Sequence, residues 1–348
     1  MQYSQLGNTS IKVSKICLGT MTWGEQNTQE QAFEQMDYAL EQGVNFWDTA
    51  ELYSVPPKAE TYGATERIIG NWFAKNGRRD EVVLASKIAG PAEFVEHIRG
   101  SKTRFNHSTI ETALNQSLAR LQTDYIDLYQ LHWPERPTNY FGQLGFEHPK
   151  SEPQDLTPLA ETLEALSQQV KAGKIRTIGL SNETAWGTMK FIQLAKEMGL
   201  EKIVSVQNPY NLLNRSYEVG LAEIAHQENV GLLAYSPLAF GVLAGRYLNN
   251  QWPENARITL FPRFDRYLNP QAQAATQAYY DLAKQHELSL TQMALSYVNT
   301  RPFVTSNIIG ATTMEQLKEN IDSIHSKLND ELLTELEQIH QKYTYPSP

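Results

Sequence analysis

A single cysteine, Cys17, stands in the 348 residues. Neither an intrachain disulfide nor a thiolate metal cluster can therefore form, which suits a reducing compartment, and the thiol is expected to pack as a small hydrophobe. No apolar run reaches the roughly 18 uncharged residues of a membrane helix. The opening residues lack the basic and apolar regions of a secretion signal. Lys and Arg number 30 against 39 Asp and Glu, a net charge of −9, with no basic stretch; this argues against nucleic acid or an anionic membrane surface as a partner. No strand pattern is followed by the Gly-x-Gly-x-x-Gly turn of a doubly wound dinucleotide-binding sheet. The expectation is a cytoplasmic protein whose partner is a small molecule.

What is present is a repeated alternation of short apolar runs and amphipathic helical stretches. Residues 3–13 alternate polar and apolar around Gly7-Asn8 and read as a hairpin, a plug or cover. Strand patterns then centre on Ile16, Phe46, Val83, Tyr125, Ile175, Val204, Leu232 and Ile308. Helical periodicity follows, as with Phe33, Met36 and Leu40, or Leu159, Leu163, Leu166 and Val170. Helices are expected around residues 278–297, another from Thr313, and a last one through Leu328, Leu332, Leu336 and Ile339. About eight βα units favour a single α/β domain over residues 1–348, a (β/α)8 TIM barrel with an N-terminal β-hairpin, over an open sheet. Residues 88–106, 133–158 and 237–270 form long connections after strand ends, where a barrel places a lid or substrate wall.

In a barrel the strand C-termini converge on one mouth, so their residues make a chemical inventory. Lys87 ends an apolar strand and needs a counter-ion, for which Asp48 on the neighbouring strand is placed. Tyr53 near that ammonium is expected to have its pKa pulled down and to give a proton near neutral pH. His132 can orient a substrate oxygen, and the set suits proton donation to a carbonyl oxygen gaining charge. Asp48–Lys87 as a structural ion pair, with Tyr53 and His132 as packing residues, is the plainer alternative. A proton donor without nucleophile or metal needs a hydride source, and a nicotinamide fits. Ser181, Asn182 and Gln207 suit its carboxamide, and Tyr235 offers a face for stacking. Ser236, Leu238, Gly241 and Arg246 lie on a small-residue loop suited to a pyrophosphate. Gly310 and Thr312 open a helix whose N-terminus attracts anions. Gly19, Thr20 and Met21 complete the strand ends on the cofactor side, while Trp23, Tyr53 and Trp133 are expected to wall the substrate pocket.

With Asp48, Tyr53, Lys87 and His132 set in Asp48-Thr49-Ala50-Glu51-Leu52-Tyr53, Ala85-Ser86-Lys87 and Leu131-His132-Trp133, the chain resembles the aldo-keto reductases over essentially its whole length. Leu18-Gly19-Thr20-Met21, Gly179-Leu180-Ser181-Asn182, Gln207-Asn208-Pro209-Tyr210 and Tyr235-Ser236-Pro237-Leu238 carry the same resemblance. Within that family it is most similar to the bacterial Tas-type group, partly through Val55-Pro56-Pro57. The resemblance implies NADPH-dependent reduction of aldehydes or ketones, with Tyr53 as general acid, Lys87 and Asp48 as its tuning pair and His132 positioning the carbonyl. It further implies that Arg246 and Arg257 meet the cofactor phosphates and that Gln316, Glu319 and Asn320 line the adenosine end. Residues 54–62 extend the link after the tyrosine beyond the family's usual length. Gln316 stands where a cation often clamps the 2′-phosphate. A nicotinamide-binding regulatory subunit with slow turnover is the alternative function, and a two-carboxylate glycosidase a more distant one.

Overall fold

The computed structural model describes residues 1–101, 103–151 and 155–347. Strands β1 (Tyr3–Gln5) and β2 (Lys12–Ser14) pair antiparallel as a hairpin. Eight parallel strands then close on themselves: β3 (Ile16–Gly19), β4 (Phe46–Asp48), β5 (Val83–Ile88), β6 (Ile126–Leu131), β7 (Ile175–Ser181), β8 (Ser205–Pro209), β9 (Gly231–Tyr235) and β10 (Val304–Ile309), with β10 returning to β3. This is the (β/α)8 barrel with its N-terminal hairpin. Around it run α1 (Gln29–Glu41), α2 (Ala64–Asn76), α3 (His107–Leu121), α4 (Leu159–Lys171), α5 (Ala185–Met198), α6 (Leu221–Glu228), α7 (Arg257–Leu260), α8 (Pro270–Gln285), α9 (Leu290–Thr300), α10 (Met314–Asp322) and α11 (Asp330–Lys342). Among the described residues no helix is long and apolar enough to cross a membrane.

Helix starts follow local chemistry. Thr28 and Gln31 form a reciprocal capping box on α1, and Asn106, Thr184, Asn269 and Ser289 each accept a backbone N–H in the first turn of their helices, satisfying donors that have no intrahelical partner. The helices expected around residues 278–297 are α8 and α9. Apolar periodicity runs across the break, but Glu287 takes a left-handed φ of 55° and Ser289 starts a new helix.

The strands sort their side chains by parity. Trp47 points outward, meeting Trp72 at 5.0 Å and stacking on Phe73 of α2. Its neighbour Phe46 points inward and joins Cys17, Ala85, Leu128 and Leu233 in an apolar layer. Leu6, Ile11 and Val13 of the hairpin pack against that layer from below, so the hairpin is a plug in the N-terminal end of the barrel. Asn45, just before β4, holds the plug in register: its Oδ1 accepts from the Ser14 N–H at 2.8 Å and its Nδ2 donates to the Lys12 carbonyl at 3.0 Å.

Candidate active site

Two residues along each strand from this apolar floor, parity brings the next inward side chains to one level: Asp48 above Phe46, Lys87 above Ala85, Gln130 above Leu128, Tyr235 above Leu233. Lys87 is fully buried and donates from Nζ to Asp48 Oδ2 at 2.7 Å, to the Thr49 carbonyl at 2.8 Å and to the Tyr53 hydroxyl at 3.4 Å. The other carboxylate oxygen, Asp48 Oδ1, accepts from Gln207 Nε2 at 2.8 Å and from Gln130 Nε2 at 3.3 Å. Burying an ammonium and a carboxylate is tolerable only when each is paired and its remaining positions are satisfied; here both conditions are met.

Burial draws the Lys87 ammonium down, but Asp48 and then Tyr53 outweigh it and hold the group above its ordinary value. Lys87 is therefore a cation at neutral pH. For Tyr53 the balance runs against the sequence expectation of a lowered pKa. The phenol is 8% exposed, and its burial raises the pKa by more than Lys87 lowers it. Tyr53 thus holds its proton at neutral pH, with the Lys87 ammonium 3.4 Å from its hydroxyl. Burial, reinforced by Lys87, holds His132 well below its ordinary value, so its imidazole is neutral. Its ring meets Tyr53 edge-on at 5.8 Å and Trp133 at 5.0 Å, and its Nδ1 is buried without a partner among the described residues.

Above this layer a cavity of about 660 Å³ opens at the C-terminal mouth. Asp48, Tyr53 and His132 line it, with Lys87 behind them. Every residue expected on the cofactor side borders it: Gly19, Thr20, Met21, Ser181, Asn182, Gln207, Tyr235, Ser236, Leu238, Gly241, Arg246, Arg257, Gly310, Thr312, Gln316, Glu319 and Asn320. Hydrogen bonds divide them. Asn182 is engaged on both sides, donating to the His132 carbonyl at 2.8 Å and accepting from the Tyr235 hydroxyl at 2.6 Å. Ser181 donates to the Gln207 carbonyl at 2.9 Å. Because Gln207 Nε2 is held by Asp48 and Gln130, its Oε1 is the acceptor left for a carboxamide N–H. At the far end Gln316 accepts from the Thr312 N–H at 3.0 Å, Glu319 accepts from Ser289, and Asn320 donates to the Gly310 carbonyl. Gln316 thereby fixes the start of α10, while Glu319 ties it to the N-cap of α9 and Asn320 to the loop after β10.

Trp133 borders the cavity as expected. Trp23 does not: it is fully buried, its indole donates to Gln35 at 3.0 Å, and it packs in the layer between barrel and helices. The loop after β3 turns it inward, away from the mouth. The long connections supply walls instead, through Phe94, Phe141 and a set of residues between Leu238 and Arg266. Val55 and Pro57 of the extended 54–62 segment also face the cavity, and the Val55 N–H donates to the Met21 carbonyl at 2.9 Å. Behind Tyr53, buried Glu51 accepts from the Ala89 N–H at 2.7 Å and from both terminal nitrogens of Arg99 at 2.6 and 2.8 Å. Sequence reasoning passed over Gln130, although its parity with Leu128 marks it as inward-facing. It also passed over Arg99, which has no local signal because its partner Glu51 is distant in the chain.

Residues 15–341 match the family model described as the aldo/keto reductase family. The chain belongs to the aldo/keto reductase family. It is 52% identical over 348 residues to Protein tas of Escherichia coli strain K12, covering all of both chains. It is 35% identical to the uncharacterized oxidoreductase YrpG of Bacillus subtilis, covering all of this chain and 97% of that one. To L-glyceraldehyde 3-phosphate reductase of E. coli K12 it is 28% identical, covering 94% and 88%. Membership in the aldo/keto reductases carries a coarse activity: an oxidoreductase of carbonyl compounds that works on small molecules with a nicotinamide cofactor.

Proposed function

We propose that this aldo/keto reductase reduces aldehyde or ketone carbonyls with NADPH, and that Tyr53 is the general acid. The observation that carries the reading is Lys87, whose Nζ touches Asp48 and Tyr53 at once beneath the cavity wall. When bound, the nicotinamide supplies the hydride. The chain's residues do the rest. Neutral His132 and the Tyr53 hydroxyl hold the carbonyl oxygen. As charge builds on that oxygen, Tyr53 gives up its proton, and Lys87, fixed by Asp48, stabilises the phenolate. Gln207 orients the carboxamide, Tyr235 supports the ring face, and Arg246 with Arg257 meets the phosphates. Gly310, Thr312, Gln316, Glu319 and Asn320 border the adenosine.

The choice of NADPH over NADH rests on the family resemblance, because arginines at a pyrophosphate serve both cofactors and α10 offers no cation among the residues bordering the cavity. Fluorescence titration with each cofactor tests it, with tighter NADPH binding expected. With nitrobenzaldehyde the protein is expected to oxidise NADPH over many turnovers. Tyr53→Phe is expected to abolish nearly all turnover while leaving NADPH affinity within a few-fold. Full turnover in that variant removes Tyr53 from the role. Very slow turnover in the parent chain with tight NADPH retention would favour the regulatory-subunit alternative.

A further inference from the structure

Resting on the reductase reading, we propose that the substrate joins its carbonyl to an anionic group, a carboxylate or phosphate, and that Arg266 grips that group.

Four arginines border the cavity, Arg246, Arg257, Arg263 and Arg266, against Asp265 and Glu319 outside the catalytic set, in a chain whose net charge is −9. Among the described residues none of the four is in an ion pair with a carboxylate. Arg246 and Arg257 are taken by the cofactor in the reading above. Arg263, which is exposed, and Arg266 are left, and Arg266 is half-buried on aromatic faces: its guanidinium lies 4.8 Å from the Phe240 ring centroid and 5.1 Å from that of Tyr267. Its Nε is buried and has no hydrogen-bond partner among the described residues. A guanidinium resting on aromatic rings with its buried Nε unpaired is costly unless an acceptor completes it, and an anion in the cavity would do so. Its planar fork suits carboxylate and phosphate oxygens.

Contacts place Arg266 toward the reacting end. His132 touches Trp133, Trp133 meets the Phe141 ring at 5.7 Å, and the next residue, Gly142, lies against Arg266. A Cβ on Gly142 would stand 3.3 Å from Arg266 Cδ, and its φ of 98° suits glycine. On its other side Arg266 faces Tyr235, whose phenol burial pushes up to about 12 against the pull of that arginine. Arg266 therefore joins the His132 wall to the nicotinamide-supporting tyrosine, away from Gln316 and Asn320.

The test uses matched substrate pairs with NADPH: 4-carboxybenzaldehyde against its methyl ester, and glyceraldehyde 3-phosphate against glyceraldehyde. The parent is expected to favour the anionic member of at least one pair by roughly tenfold to a hundredfold in kcat/KM, as suits one charge-assisted contact, and the favoured pair names the anion. Arg266→Met is expected to bring that ratio close to one, mainly through KM, and Arg266→Lys to recover part of it. An NADPH titration of each variant reports that its site is folded. A parent ratio near one in both pairs, or a ratio unchanged in Arg266→Met, overturns the proposal. Absence of turnover with every aldehyde counts against the reductase reading alone. Binding of 4-(hydroxymethyl)benzoate to the NADP+-loaded protein, followed by tryptophan fluorescence, then decides the anion site: loss of binding in Arg266→Met supports it, and equal binding overturns it.

Discussion

Replacing Lys87 with Met keeps the length of the side chain and removes its charge, and the structure allows both consequences to be sized. Across the 3.4 Å between Nζ and the Tyr53 hydroxyl, a full charge pair at an effective dielectric of about 20 is worth about 5 kcal/mol. If about half a charge has formed on the phenolic oxygen at the transition state, the barrier rises by about 2.5 kcal/mol, roughly a hundredfold in kcat. The variant also leaves Asp48 Oδ2 without its 2.7 Å partner in a buried layer, a loss of about 3–5 kcal/mol of stability. Adding Asp48→Asn removes the orphaned charge, so the double variant is expected to recover much of the stability and none of the rate. Stopped-flow kinetics of NADPH oxidation and urea denaturation measure the two. The pH profile gives a third reading: Lys87 pulls the Tyr53 pKa down against burial, so its loss moves the alkaline limb of kcat to higher pH while lowering the plateau. A Lys87→Met enzyme within threefold of parental kcat would refute the assignment of Lys87 as the group that stabilises the phenolate.

Glu51→Ala strands the Arg99 guanidinium and the Ala89 N–H behind Tyr53; differential scanning calorimetry is expected to show a fall in Tm on the order of 5–10 °C. His132 supplies a pH test of stability. Its folded pKa lies well below the ordinary value, so the unfolded chain takes up the proton first. The contribution is whole above about pH 6.5 and is lost as pH falls toward the folded pKa. Denaturation of His132→Gln between pH 8 and 5 is expected to show a shallower acid decline than the parent; an identical decline refutes the link.

The barrel was legible because each strand carries a short apolar run and each helix its own period, signals that survive within ten residues of chain. The convergence of the candidate site was legible for the same reason: Asp48, Lys87 and His132 sit at strand ends, which the fold class brings to one mouth. Tyr53's pKa was misread because a neighbouring cation can be inferred from residue order, whereas the depth of burial that outweighs it depends on walls assembled from remote loops. Trp23 was misplaced because proximity in sequence to the mouth does not tell which way a loop turns its side chain. The anion-ready arginine belongs to a connection with no regular period, so only the folded contacts with Gly142 and Phe240 give it meaning.

The hairpin beneath the barrel has a consequence for where protons travel. Leu6, Ile11 and Val13 back the apolar floor of Phe46, Cys17, Ala85, Leu128 and Leu233, on which the layer of Asp48, Lys87, Gln130 and Gln207 rests. That polar chain therefore ends blind: it fixes charge without conducting it to bulk water. With Tyr53 as the acid proposed above, the replacement proton has to come down through the same opening that the product leaves by. Recharging the acid and clearing the pocket are thereby coupled, and a solvent isotope effect on steady-state turnover would report on the exit step as much as on the chemistry.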